Sequence, residues 1–196
     1  MYERNNAKSS CLEANIADFK KIVIFCQAAD IKTIFLLPGI VNPGQSLAEA
    51  TLASAKAFNA FMPIAVDAGI TLTFEPHVRS ITESPQATLA LLEAVPGLKL
   101  TLDYSHFVCL GYRQEDIDPL VPHAAHVHLR QAKPGALQAK YEYGTLNFPT
   151  MISTLRDAGY EGYLVLENVH QTYMNTLYED VLTEIIKMRD SVSRFI

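Results

Sequence analysis

The chain has 196 residues, of which 49% are hydrophobic and 19% are charged, a composition that fits a globular α/β domain with a substantial core. Its formal net charge of -5 does not favour tight binding to nucleic acid or to an anionic membrane, because such binding depends on lysine and arginine. We expect no membrane span and no secretory signal and, because the three cysteines lack CxxC spacing, reduced thiols in a cytoplasmic protein.

Apolar periodicity and capping residues predict helices that alternate with strands. The predicted helices cover residues 9–28, 46–68, 84–94, 115–120, 148–158 and 175–191. The predicted strands cover residues 31–37, 70–75, 98–103, 125–129 and 163–167. Because strands that alternate with helices form parallel sheets, the sequence predicts an α/β protein with five parallel strands. No linker divides the chain, so residues 1–196 are predicted to form a single domain.

Four of the predicted strands end in a residue that can bind a metal ion: Glu75, Asp103, His128 and Glu167. Parallel α/β folds place their active sites at the carboxyl ends of the strands. Carboxylates with one imidazole suit a single divalent cation, Mn²⁺, Mg²⁺, Co²⁺ or Zn²⁺, with coordination positions left open. In an open sheet these strand ends would lie along a line about 15 Å long, too far apart to share a cation. The pattern therefore favours a (β/α)8 barrel, in which strand ends converge.

Two further candidates lie on the strand that ends near residue 129. His126 and His128 share one face of that strand, with Val127 on the other, and a histidine that only packs rarely needs a twin two residues away. Arg130 follows two residues later, where it could hold a phosphate or carboxylate of a substrate. A solvated loop arginine is the alternative interpretation.

Two more histidines follow the other candidate ligands. His77 comes two residues after Glu75 and could share its face. Asp103 and His106 form a DxxH motif at a strand end, a weak signal when taken alone. No GxGxxG or GxxxxGK[ST] motif accompanies the strands, so the sequence gives no support to nucleotide binding.

From about Asp18 onward the sequence resembles the xylose isomerase-like TIM barrels, a family that includes sugar phosphate isomerases and epimerases. The resemblance rests on segments in the family's order and approximate spacing, at residues 74–77, 102–106, 126–130, 144–148 and 166–168. It implies a (β/α)8 TIM-barrel fold that lacks the first three βα units, since the strand at residues 31–37 would be the fourth of eight.

The resemblance also implies a function in carbohydrate metabolism and roles for the candidate residues. Glu75, Asp103, His128 and Glu167 match the family's metal ligands, and His106 matches a residue that contacts substrate. The implied enzyme is a divalent-metal-dependent isomerase or epimerase of a small carbohydrate or keto-acid, in which Glu75 and Glu167 transfer a proton through an enediolate. A dehydratase would use the same first half-step, so it stays an alternative.

The chain departs from the family in ways that bear on substrate and assembly. Pro134 stands where some family epimerases carry an arginine, and Ile81 where some carry a glutamate, so known sugar specificities are not carried over. We name His77, His126 and Arg130, beside His106, as candidate substrate contacts. A barrel without three strands would have two open edges, which predicts a homo-oligomer or a truncated, non-catalytic remnant. An apurinic endonuclease is disfavoured, because it needs more histidines for its three metals.

Overall fold

Helices and strands alternate along the chain, as the sequence predicts. This computed structural model describes residues 4–170, 172, 176–177 and 180–196. The strands are β1 (Thr33–Leu36), β2 (Thr71–Phe74), β3 (Lys99–Asp103), β4 (Ala124–Leu129) and β5 (Leu164–Leu166). The α-helices are α1 (Leu12–Ala28), α2 (Leu47–Asp67), α3 (Pro85–Ala94), α4 (Tyr104–Cys109), α5 (Gln114–Ile117), α6 (Phe148–Asp157) and α7 (Val181–Val192). The registered pairs of these strands are parallel, which confirms the predicted α/β class.

The chain divides into two compact units, unit 1 (Met1–Thr101) and unit 2 (Leu102–Ile196). In unit 1, β1 lies parallel to β2 along its whole length, and β2 lies parallel to the start of β3. The hydroxyl groups of Thr73 on β2 and Thr101 on β3 are 2.8 Å apart, and both side chains are buried. These two threonines therefore share one face of their strands. Side chains next to them in each strand point to the opposite face, because side chains alternate along a strand.

An aromatic cluster holds the helices of unit 1 to its strands. The rings of Phe19 on α1 and Phe61 on α2 lie 4.8 Å apart, and the rings of Phe58 on α2 and Phe74 on β2 lie 5.9 Å apart. All four side chains are buried. Burying one such ring contributes roughly 1.5–3 kcal/mol, so this contact is a principal source of stability for the unit.

The first described residues of unit 1 are bound to the loop that follows β1. The Asn5 side chain donates a hydrogen bond to the carbonyl of Ile40 at 2.8 Å and accepts one from the Ile40 amide at 3.0 Å. Gly39 has a φ of 106°, and a Cβ atom there would lie 2.5 Å from the amide nitrogen of Ala7. Only glycine fits this close approach of two backbone segments.

Unit 2 is built on β4 and β5. The two strands lie parallel from the pair Val127 and Leu164 to the pair Leu129 and Leu166. The Glu167 amide extends this ladder by donating to the Leu129 carbonyl at 3.0 Å. Helix α6 packs its apolar side, with Phe148, Met151, Ile152 and Leu155, into the core of the unit.

Helix α4 is absent from the prediction, which places no helix between residues 103 and 115. All six of its residues are buried, so it has no alternation of apolar and polar positions to reveal it. Its start is fixed by Asp103, whose Oδ1 accepts a hydrogen bond from the Ser105 amide at 2.8 Å. The DxxH motif therefore lies on a strand-to-helix junction.

The last helix is shorter than the predicted range of 175–191. Helix α7 begins at Val181, after Asp180 accepts a hydrogen bond from the Thr183 amide at 2.9 Å. Residue 175 lies outside the described residues, and Leu177 precedes the helix with 53% of its surface exposed. The apolar spacing from Leu177 onward suggested a longer helix, but an aspartate cap is a stronger start signal than periodicity.

Each unit has an edge strand with exposed apolar side chains. In unit 1, Phe35 on β1 is 47% exposed. In unit 2, Tyr163 just before β5 is 80% exposed, and Val165 on β5 is 37% exposed. Among the described helices, none combines the length and apolar character that a membrane span requires.

Candidate metal and substrate site

Three of the four predicted metal ligands meet in unit 2. Asp103 ends β3, His128 lies near the end of β4, and Glu167 follows β5 directly. Each offers one ligand atom, and these atoms lie within 4.8 Å of one another. These atoms converge because parallel strands end at the same edge of a sheet. Each of the three residues lies at, or next to, the carboxyl end of its strand.

The atoms at which His128 and Glu167 meet are a nitrogen and an oxygen that are both suitable to bind a metal ion. The Nδ1 atom of His128 is 2.9 Å from the Oε2 atom of Glu167. The geometry is not that of a hydrogen bond, so Oε2 is a buried carboxylate oxygen without a hydrogen-bond partner among the described residues. A buried carboxylate oxygen left in this state costs free energy that a bound cation would offset. The donor set of two carboxylates and one imidazole therefore fits a divalent cation.

Asp103 is ionised in this surrounding. Burial alone would raise the pKa of Asp103, but the charge of Arg130, then His106 and the hydrogen bonds from Ser105, lower it to about 2. The stability that this carboxylate contributes is present above the ordinary pKa of aspartate and is lost as the pH falls through about 2. At neutral pH the group is therefore an anion.

Arg130 lies inside the site. Its Nη2 donates to Oδ2 of Asp103, and its Nε donates to Oγ of Ser105 at 3.0 Å. The same Nη2 lies 3.2 Å from Nε2 of His106 and 3.7 Å from Oε2 of Glu167. The alternative of a solvated loop arginine is wrong, since only 3% of the residue is exposed. Contact of Arg130 with a substrate stays a prediction.

His106 and His126 occupy different surroundings in unit 2. His106 lies on α4, is buried, and has its Nε2 atom 3.7 Å from Oδ2 of Asp103. His126 is half-buried, with its ring 5.2 Å from that of His128 and 6.5 Å from that of Tyr163. Burial, and then the neighbouring His128, lower the pKa of His126. Their roles as substrate contacts stay predictions.

Glu75 and His77 belong to unit 1. Glu75 follows β2, is 6% exposed, and donates its amide proton to the Leu36 carbonyl at 3.1 Å. His77 is half-buried, and its Nδ1 atom lies 2.7 Å from the carbonyl oxygen of Val78, which places the ring proton on Nδ1. His77 also lines a small cavity of about 30 Å³, together with Arg4. Glu75 as a metal ligand and His77 as a substrate contact both stay predictions.

Gln138, which the sequence did not indicate, fixes the chain that follows Glu167. Its Nε2 donates to the carbonyls of Val169 at 2.8 Å and Thr176 at 2.9 Å, and its Oε1 accepts from the Val169 amide at 2.8 Å. The side chain is 1% exposed. A glutamine inside a predicted loop carries no signal of such burial, because its partners are backbone groups about 30 residues away.

Gln131 gives the same support within the segment between β4 and α6. Its Oε1 accepts from the Leu146 amide and its Nε2 donates to the Leu146 carbonyl, both at 3.0 Å. Gly144 packs against this side chain, and a Cβ atom there would lie 2.1 Å from Cδ of Gln131. The predicted loop 130–146 is thus held by buried amides.

Replacing Gln138 by alanine tests its hold on the segment after Glu167. We expect Gln138→Ala to lower the free energy of unfolding by roughly 2–4 kcal/mol, because buried backbone groups lose their partners. Amide hydrogen exchange at residues 168–170 should accelerate as well. The control is Gln27→Ala, since Gln27 is exposed and makes only a long hydrogen bond of 3.5 Å. Equal exchange rates in the two variants would contradict the assignment.

The parallel strands and the donors at their ends define a protein of the TIM-barrel class. Residues 3–187 match the sequence model of the xylose isomerase-like TIM barrels, and the chain belongs to this family. The resemblance inferred from the sequence motifs is therefore confirmed. None of the curated protein sequences matches the chain.

Solved structures of related fold include a sugar epimerase, a zinc-bound protein and an AP endonuclease. D-allulose 3-epimerase from Methylomonas sp. in complex with D-allulose is 18% identical, with a TM-score of 0.76 over 100% of this chain and 74% of that one. The IOLI protein with a bound zinc atom is 18% identical, with a TM-score of 0.72 over 92% of this chain and 70% of that one. An AP endonuclease of family 2 from Brucella melitensis is 19% identical, with a TM-score of 0.72 over 87% of this chain and 68% of that one.

At such low identity these likenesses establish the fold and nothing finer. The shares of 68–74% of the related chains agree with the five strands observed here, against the eight of a full barrel. The predicted TIM-barrel type without three of its βα units is confirmed.

Proposed function

We propose that the chain is a divalent-metal-dependent isomerase or epimerase that acts on a sugar, a sugar phosphate or a keto-acid. The observation that carries the proposal is the unsatisfied Oε2 of Glu167, 2.9 Å from Nδ1 of His128 and close to the ionised Asp103. Family membership supports the class of reaction, and the likeness to a D-allulose 3-epimerase supports a sugar as substrate.

Asp103, His128 and Glu167 would hold the cation, and we propose Glu75 as the fourth ligand. Glu75 and Asp103 each lie two residues beyond the threonine pair Thr73 and Thr101, whose hydroxyls meet on one face of β2 and β3. Because side chains alternate along strands, we expect each carboxylate on the face of the threonine that precedes it in its own strand. Mn²⁺, Mg²⁺, Co²⁺ and Zn²⁺ suit this donor set. The cation, when bound, would polarise the substrate carbonyl and stabilise an enediolate.

In our proposal, Glu75 and Glu167 transfer the proton. The carboxylate of one glutamate takes the proton from the carbon beside the carbonyl. The electron pair of the broken C–H bond forms a C=C bond, and the π pair of the carbonyl moves onto its oxygen, which gives an enediolate. Return of a proton by the other glutamate, on the opposite face, inverts the carbon. Glu75 and Glu167 take these roles in our proposal, while His77, His106, His126 and Arg130 are proposed to contact the substrate.

Two other functions remain as outcomes of experiment. A dehydratase would share proton removal but lose a β-hydroxyl group from the same intermediate. A truncated, non-catalytic remnant would hold the fold without the reaction. An apurinic endonuclease is disfavoured, because the net charge of -5 does not suit a DNA backbone and the chain has six histidines in all.

Exchange of substrate hydrogen in D₂O tests the proposed reaction. With Mn²⁺ and a panel of ketoses, keto-acids and sugar phosphates, we expect deuterium to enter beside the carbonyl, detected by NMR. Glu167→Gln should slow this exchange by at least about 100-fold at saturating Mn²⁺, because an amide cannot accept the proton. Glu161→Gln, an exposed glutamate before β5, is the matched control. Absence of exchange with every compound would favour the remnant.

Metal binding tests the proposed ligands without any substrate. We expect about one Mn²⁺ per chain by isothermal titration, and His128→Ala should weaken its binding by at least about 100-fold, because a direct ligand matters more than outer-shell groups that cost 10–100-fold. His123→Ala, a half-buried histidine just before β4, should bind as the original protein does. Equal loss in both variants would mean that the ion binds elsewhere.

We also propose that the chain forms a homo-oligomer through its edge strands. Exposed apolar side chains at an edge strand favour association. Phe35 lies on the edge strand β1, Val165 lies on the edge strand β5, and Tyr163 directly precedes β5. Sedimentation velocity should give a species larger than the monomer, and Phe35→Asp or Val165→Asp should shift it toward monomer. Leu52→Asp, exposed on α2, should leave the distribution unchanged. A stable monomer with cooperative unfolding would contradict the proposal.

A further inference from the structure

Two groups of unit 2 bind the carboxylate of Asp103. Its Oδ1 accepts the Ser105 amide at 2.8 Å, and its Oδ2 accepts the Arg130 guanidinium. Both carboxylate oxygens therefore already accept a hydrogen bond from unit 2. A cation that binds Asp103 has to use a remaining lone pair on an oxygen that is already engaged.

The donor on Oδ2 is a permanent charge. An arginine side chain keeps its proton in proteins, and this one is 3% exposed, so solvent screens it weakly. Its Nη2 also lies 3.7 Å from Oε2 of Glu167. The guanidinium thus touches the anionic groups that would neutralise a divalent cation, and two positive charges would compete for the same carboxylates.

We infer that Arg130 sets the metal affinity of the site by sharing Asp103 with the cation and opposing its binding. This inference rests on the proposed metal site. The guanidinium attracts electron density of the Asp103 carboxylate, so less of that density is available to the metal ion. The bound ion is therefore held more loosely and is left more electron-poor, which favours polarisation of a substrate oxygen.

Competition titrations of Mn²⁺ against a chelator of known affinity test the inference. The titration starts from Mn²⁺-loaded protein, and Arg130→Gln should bind the ion at least about tenfold more tightly. A tenfold change in affinity corresponds to about 1.4 kcal/mol of binding free energy, and the repulsion between a buried guanidinium and a cation on the same carboxylate exceeds that value. Arg130→Lys keeps the positive charge and should stay near the original affinity. Arg189→Gln removes an exposed arginine paired with Asp190 at 2.7 Å and should have no effect.

Thermal unfolding gives a second readout that does not depend on activity. Without the ion, Arg130→Gln leaves Asp103 buried without its counter-ion and should unfold at a lower temperature than the original protein. With saturating Mn²⁺, the rise in melting temperature should be larger in Arg130→Gln than in the original protein. A variant that folds only with the ion is still measurable, because the chelator titration begins from the loaded state.

The outcomes separate this inference from the proposed function. Suppose that Arg130→Gln binds Mn²⁺ no more tightly than the original protein, while the original protein catalyses deuterium exchange. The inference then fails and the proposed function stands. If only Arg130→Gln binds Mn²⁺, the inference holds and metal dependence of the native chain fails. If neither protein binds the ion, both are overturned.

Discussion

The buried ion pair between Asp103 and Arg130 is the constraint on which the candidate site depends. It joins the end of β3 to the residue after β4, and through Ser105 and His106 it also fixes the start of α4. Neither charge would tolerate burial alone, since removing one partner of such a pair costs several kcal/mol. The pair therefore holds one predicted metal ligand in an ionised state and at a fixed orientation.

The other carboxylate of unit 2 is held by a different means. Glu167 directly follows the short strand β5. The side-chain amide of Gln138 makes hydrogen bonds to the backbone of Val169 and Thr176, beyond Glu167. A residue placed after a short strand would otherwise sample several orientations, and the proposed role of Glu167 requires one.

The sequence predicted the parts of the fold that depend on local pattern. Apolar runs predicted all five strands, and a polar residue at or near the carboxyl end of four of them indicated the candidate ligands. Helix α4 was not predicted, because a fully buried helix has no polar face. Helix α7 was predicted too long, because apolar spacing was followed past the Asp180 cap, which sets the true start. Arg130 was named as a candidate site residue, but its partner was not. Pairing across 27 positions is set by strand order and register, which no local pattern contains.

The place of Arg130 in the chain determines how deeply its charge is buried. The position six residues after His128, where the family resemblance would place an arginine, is Pro134 in this chain. Arg130, two residues after His128, directly follows β4 and is buried beside the candidate ligands. Its charge acts on Asp103 and Glu167, and an arginine reached from the loop would lie farther along the chain from them. The charge of Arg130 therefore lies at the candidate ligands, because the backbone delivers it directly from the end of β4.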